Sequence, residues 1–109
     1  MSIEIKELIK NSDLSPIYTA DEGAVSSVYC SDLLSVVMAN APAGSAWVTV
    51  IGNANAVAVA VLAEVACIVI AGGSDFDESA VTAAKANGVT LLKSSAPIYE
   101  TAVSIGNLL

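Results

Sequence analysis

The sequence predicts a single α/β domain with a mainly parallel sheet covered by helices on both faces. Two observations carry this. From Trp47 onward, short apolar runs alternate strictly with helical patterns, and parallel neighbours need such crossovers. At 109 residues the chain also has the length of one domain, long enough to bury roughly two thirds of its unfolded surface without metal or disulfide staples.

The elements follow in order. Ile3, Ile5, Leu8 and Ile9 alternate with Glu4, Lys6, Glu7 and Lys10 at a period nearer 3.6 than 2, predicting a short amphipathic helix over 3–10 that ends near Asn11. Pro16 opens an extended piece through Thr19, Asp21-Glu22-Gly23 reads as a turn, and Val25 to Cys30 as a second extended piece. These are expected as smaller strands at one side of the sheet. Ser31 and Asp32 have side-chain oxygens able to cap a helix from Leu33 to Asn40, stopped by Pro42 and Gly44.

Trp47 to Ile51 is a strand, Gly52-Asn53-Ala54-Asn55 a turn, and the alanine-valine segment to about Val65 a helix. Ala56 to Val61 also alternates with period 2, but a third successive strand would leave the runs on either side without their crossover. Cys67 to Ala71 is the next strand, followed by Gly72-Gly73 and a helix whose Asp75 and Glu78 have capping-box spacing and which ends at Asn87-Gly88. Val89 to Leu92 is the last strand, and Ser95 with Pro97 starts a helix to about Leu108. The alanine-valine helix is apolar on every side, so it is expected to be covered on more than one face, with a second subunit of a symmetric homodimer as the further cover.

Composition excludes several classes of function. The net charge is -7, with four basic and eleven acidic residues, so phosphate backbones and anionic lipid surfaces would be repelled and no nucleic acid partner is expected. Mean hydropathy is high, at +0.71, but Pro42, Gly44, Gly52, Asn53, Asn55 and Glu64 interrupt the apolar stretches, and no run of about 20 apolar residues predicts a membrane span. The first ten residues carry acids and no signal-like apolar core, which predicts a cytoplasmic protein. Cys30 and Cys67 are expected as reduced, buried thiols, with a disulfide between them the less favoured alternative. With no histidine they are too few to build a zinc or iron–sulfur centre, so no metal or other cofactor is expected.

Histidine and arginine are both absent, which removes the commonest general base and the bidentate phosphate clamp. The lysines at 6, 10, 85 and 93 are scattered. Asp21 with Glu22, and Asp75, Asp77 and Glu78, are read as a solvated turn and as helix-start charges. No catalytic residue is assigned and no enzyme is expected. Turns at the carboxyl ends of the strands are where open α/β sheets hold ligands. Gly52, Asn53, Asn55, Gly72, Gly73 and Ser94 are therefore candidates for a ligand crevice, with Tyr29 and Ser31 as another wall. The turn at Gly52 is the better anion or polar cradle, because Asp75 and Asp77 oppose a phosphate at Gly72-Gly73. Neither turn carries a complete P-loop or dinucleotide-binding glycine pattern. Trp47 is read as a core or interface residue rather than a stacking platform.

The run Tyr29-Cys30-Ser31-Asp32-Leu33-Leu34-Ser35, then Val37 to Ala41, Trp47 to Val50, Asn55 to Leu62, Ile68 to Gly73 and Tyr99 to Ala102, resembles the DRTGG domain family over most of the chain from Gly23. The departure is at the eponymous motif: where the family has Asp-Arg-x-Thr-Gly-Gly before the tyrosine, this chain has Gly23 to Val28. The resemblance implies one DRTGG-like domain over 1–109, a fold like the amino-terminal part of HPr kinase/phosphorylase, and kinship with stand-alone versions encoded beside iron-hydrogenase genes. It implies a regulatory module without the P-loop of the kinase, which belongs to a separate domain. The expected function is binding of a small metabolite or nucleotide, through a dimer or a protein partner, in hydrogenase or carbon-metabolism regulation. The alternatives are an adaptor subunit of a redox complex and, third, a kinase-related enzyme.

Overall fold

The computed structural model describes residues 1–109. In chain order the elements are β1 (Ile3–Glu4), α1 (Ile5–Lys10), β2 (Ser15–Tyr18), β3 (Ala24–Val25), β4 (Ser27–Cys30), α2 (Leu34–Asn40), β5 (Ser45–Thr49), α3 (Ala54–Ala63), β6 (Cys67–Ile70), α4 (Glu78–Asn87), β7 (Thr90–Lys93) and α5 (Ile98–Gly106). Five strands form one sheet in the order β2-β7-β6-β5-β4, and β1 pairs with β3 in a separate two-stranded ribbon. All contacts within β4-β5-β6-β7 are parallel, while β2 runs antiparallel along β7. The small strands of the first half are thus split between the two edges, not gathered at one side. Pro16 fits an edge strand, where its missing N–H costs no central ladder bond.

Strands β4 to β7 advance across the sheet in one direction, so right-handed crossovers place α2, α3 and α4 on the same face. There Val37, Trp47, Ala56, Val57, Val59, Ala60, Ile68, Ala80, Ala84, Val89 and Leu91 form one buried cluster. The opposite face carries α1, α5 and the β1–β3 ribbon, whose Ile5, Leu8, Val25 and Ile105 pack with Ala46, Val48, Cys67, Val69 and Leu92. Small alanines on the helices explain how three of them fit over a sheet of four parallel strands. The result is the predicted three-layer α/β domain.

Local chemistry sets the ends. Asn53 caps α3 by accepting from Ala56 N at 3.1 Å. Two residues earlier than Val65, α3 stops at Ala63, because Glu64 turns left-handed at φ 57. Asp77, not Asp75, caps α4, accepting from Ala80 N at 2.8 Å and Ser79 Oγ at 2.6 Å. Those bonds, that to Ser79 first, hold the Asp77 carboxyl below its usual range. Gly88 closes α4 at φ 66. The predicted cap of α2 is not formed: the Ser31 hydroxyl accepts from Leu33 N at 3.2 Å in a local turn, and Asp32 reaches across to the next strand instead. Residues 3 and 4, expected in the first helix, are drawn into pairing with Ala24 and Val25.

Cys67 is fully buried and its thiol is pushed up to about 12 by burial, whereas Cys30 is exposed at the edge strand, contrary to the buried pair expected. Both thiols are free. No helix is long and apolar enough to cross a membrane, and no group of three His, Cys, Asp or Glu side chains is placed to hold a metal ion.

Ser27 and Ser45 are partners in the β4–β5 register, and both hydroxyls are buried without a hydrogen-bond partner. An unpaired buried hydroxyl costs about 1–3 kcal/mol, so Ser45→Ala should leave stability unchanged or raise it by about 1 kcal/mol. Urea denaturation of the variant measures this; a loss of stability would mean that the hydroxyl is satisfied in solution.

Candidate functional site

The carboxyl ends of β4 to β7 lie along one edge, and their exits differ in direction. After β4, β5 and β6 the chain turns onto the face of α2, α3 and α4; after β7 it turns to the opposite face and α5. Loops leaving neighbouring strands to opposite faces open a cleft between them, so the switch point of this sheet lies between β6 and β7. Gly72, Gly73 and Ser94 flank it. Gly72 and Gly73 adopt φ 70 and 77, and Gly72 N donates to Ala96 O at 2.8 Å, tying the two loops together. Above them Lys93 Nζ forms an ion pair with Asp75.

The turn after β5 is one strand away. Gly52 is closely covered by the β6–α4 loop: a Cβ here would lie 2.4 Å from Asp75 O and 2.8 Å from Ile70 Cδ1, and Asp77 N donates to Gly52 O at 2.8 Å. Its glycine therefore serves loop-on-loop packing. Gly52 N and Asn53 N donate to no protein group, and neither do Ala54 N and Asn55 N, the first two amides of α3. The Asn53 carboxamide oxygen is engaged in the cap, leaving Asn55, exposed in the first turn, as the free carboxamide.

Tyr29 and Ser31 stand two strands from the switch point, at the β4 edge. Trp47 is wholly buried and its Nε1 donates to Ser31 O at 2.9 Å, which confirms its structural role and fixes the loop after β4. Asp32 Oδ1 accepts from Thr49 Oγ1 at 2.7 Å and from Val50 N at 2.9 Å, clasping the ends of β4 and β5. The eight predicted residues share an edge but do not ring one crevice: they form three stations, at β4, at the head of α3, and at the β6–β7 switch.

A cavity of about 170 Å³ opens where α5 leaves the sheet, lined by Asp13, Leu14, Ser94, Ser95, Ala96, Glu100, Thr101 and Ser104. Of these only Ser94 belongs to the predicted set. Asp13 and Leu14 arrive because β2 runs antiparallel beside β7, pairing Ser15 with Lys93. Ser94 and Thr101 are buried, and their hydroxyls lie 2.7 Å apart. A larger open groove of about 590 Å³ lies between residues 4–6 and 19–24, away from the carboxyl ends, among Glu4, Asp21 and Glu22. Size alone favours the groove. The smaller cavity is the better candidate, because buried polar groups, Ser94 and Thr101, line it beside the β7–α5 turn.

The edge belongs to a three-layer α/β fold, and no side chain beside these stations is an imidazole or guanidinium. The chain shares its fold with part of the CBS and DRTGG domain region of the regulatory region of a Clostridium perfringens pyrophosphatase, a structure complexed with the activator diadenosine tetraphosphate. The two superpose with a TM-score of 0.75 at 12% identity, over 93% of this chain and 45% of that one, so this chain spans about half the length of its structural relative. Neither a known family nor a curated protein matches the sequence.

Proposed function

We propose that this chain is a non-catalytic regulatory module that binds a small polar metabolite, a nucleotide among the candidates, at the carboxyl edge of its parallel sheet. The observation that carries the reading is the switch point between β6 and β7, where two loops part to opposite faces beside glycines at positive φ. The shared fold with a nucleotide-complexed regulatory region supports it. The predicted residues Gly52, Asn53, Asn55, Gly72, Gly73 and Ser94, with Tyr29 and Ser31 further out, are the proposed contacts. Asp32, Asp75 and Asp77 are each engaged by protein donors yet keep the edge negative, so a phosphorylated ligand would bind with a divalent cation screening its charge.

The same reading places the protein in the cytoplasm as a homodimer. Exposed Leu33 and Met38 around α2 and Val61 and Leu62 on α3 favour an adaptor role as the second reading, because α2 and α3 carry no charged residue and present these apolar side chains outward. Association with hydrogenase or carbon-metabolism proteins follows the family resemblance. A kinase-related activity is third.

Thermal melting against diadenosine tetraphosphate and adenine mononucleotides, with and without magnesium, tests the proposal. A ligand at 100 times its Kd adds about 2.7 kcal/mol to stability, which for a domain of this size raises Tm by roughly 10–20 °C. No shift at millimolar ligand would favour the adaptor reading.

A further inference from the structure

We infer that the free edge of β4 is a pairing edge whose occupant is β4 of a second copy of this chain, running antiparallel across a twofold axis so that two five-stranded sheets join into one. This rests on the homodimer reading above and names the surface through which the two copies meet.

The sheet has two outer strands, and they are built differently. At β2, Pro16 lacks an N–H, the register with β7 slips between Pro16 and Tyr18, and Asp13, Asp21 and Glu22 flank the strand in sequence. Proline, irregular register and charge are the means by which a sheet keeps a free edge from pairing. β4 has none of them. Its register with β5 runs unbroken from Ser27 to Cys30, and Gly23 to Ser31 contains neither proline nor charge.

What β4 offers follows from the alternation of a strand. Ser26 N donates to Gly44 O at 2.9 Å on the β5 side, so Val28 and Cys30 also turn their N–H and C=O inward, while Ser27 and Tyr29 turn theirs to the open side. No turn or loop takes up those outward groups. Antiparallel pairing about a twofold axis at Val28 sets each Ser27 opposite the partner's Tyr29 as a hydrogen-bonded pair. It sets each Cys30 opposite the partner's Ser26 as a close pair without ladder bonds.

Charge selects the occupant. Each copy carries -7, which opposes self-association wherever carboxylates would meet. From Gly23 to Ala63 the one charged residue is Asp32, whose carboxylate is held by Thr49 and Val50, and this segment supplies β4, α2, β5 and α3. A twofold operator sets that uncharged side against itself. Apolar surface continues the contact on both faces of the sheet. The chain leaves β4 into α2, where Leu33 and Met38 are exposed; on the other face α5 packs over β4 and exposes Tyr99 and Val103 beside Glu100, its one charge.

Light scattering of the full chain at micromolar concentration should give twice the 11.0 kDa of one copy. Cys30→Lys puts a charge on the edge at an exposed site and should raise the dimer dissociation constant about tenfold. Ser15→Lys, the same charge on β2, should leave it unmoved. The register is read with Ser26→Cys oxidised by copper phenanthroline. The introduced thiol should link to the partner's Cys30 in a covalent dimer, because such antiparallel pairs hold their Cα atoms about 4.5 Å apart, within disulfide reach. Within one strand the same two positions stand roughly 13 Å apart, so no link closes inside a chain. The parent chain and Ser15→Cys should give no covalent dimer. A monomeric mass would overturn the pairing and the homodimer together, leave the ligand-binding reading standing, and assign the edge to a strand of another protein. A dimer that Cys30→Lys does not weaken, or that links Ser15→Cys as readily as Ser26→Cys, would overturn the β4 interface alone.

Discussion

Gly52→Ala is expected to destabilise the domain by about 3 kcal/mol, the upper part of the range for overpacking. The added methyl would lie 2.4 Å from Asp75 O and 3.0 Å from Phe76 Cα, both backbone atoms that cannot rotate away. Relief requires the β6–α4 loop to lift, which strains the 2.8 Å bond from Asp77 N to Gly52 O. For a domain of this length the loss corresponds to a Tm lower by roughly 10–20 °C. Gly73→Ala is the contrast: nothing lies within 4 Å of the new atom, so only the φ of 77 opposes it, at about 1–2 kcal/mol. Melting of the two variants side by side reads the difference. Equal losses would show that backbone conformation, not loop packing, governs both turns.

The second large effect is expected at Trp47. Trp47→Ala should cost about 3–5 kcal/mol, because the indole is entirely buried between the sheet and its helices and its removal leaves a cavity. Ser31 O would also lose the donor that reaches it at 2.9 Å. Against a total stability of about 5–15 kcal/mol, that is at least a fifth of the whole. Trp47→Phe separates the two contributions, since it keeps most of the volume and loses the N–H. Guanidinium denaturation followed by far-UV circular dichroism measures both, and a loss under about 1 kcal/mol in the alanine variant would contradict the packing described.

How far the sequence discloses this architecture depends on whether the signals are local. The β5–α3–β6–α4–β7 succession was legible because apolar runs are punctuated by Gly52-Asn53, Gly72-Gly73 and Gly88, and because the alanine-valine stretch had to supply a crossover. The position of β2 was not legible. Ser15 to Tyr18 is short and largely exposed, and nothing local shows that it pairs with Lys93 rather than with its sequence neighbours. That pairing brings Asp13 and Leu14 to the β7–α5 turn, so one wall of the cavity was hidden with it.

Asp32 misled for a related reason. A Ser-Asp pair before an apolar helix has the form of a cap, but the helix begins later and the carboxylate finds stronger donors in Thr49 and Val50, close in space and 17 and 18 residues away in sequence. The shift of the α4 cap from Asp75 to Asp77 was in principle readable, since Asp77-Glu78-Ser79 offers an equally good cap; the pairing of Asp75 with Lys93 decides between them. The family resemblance anticipated the fold while the motif that names the family is replaced in this chain, so the ligand must be established on this protein directly.

Amide-shift mapping of whichever metabolite raises the melting temperature tests the central claim most directly. A site at the carboxyl edge predicts saturable changes confined to Gly52–Asn55, Gly72–Asp75 and Ser94–Ala96, with the remainder of the spectrum still. Changes centred on residues 19–24 at the far end of the sheet, or steady turnover of the metabolite by the purified chain, would contradict it.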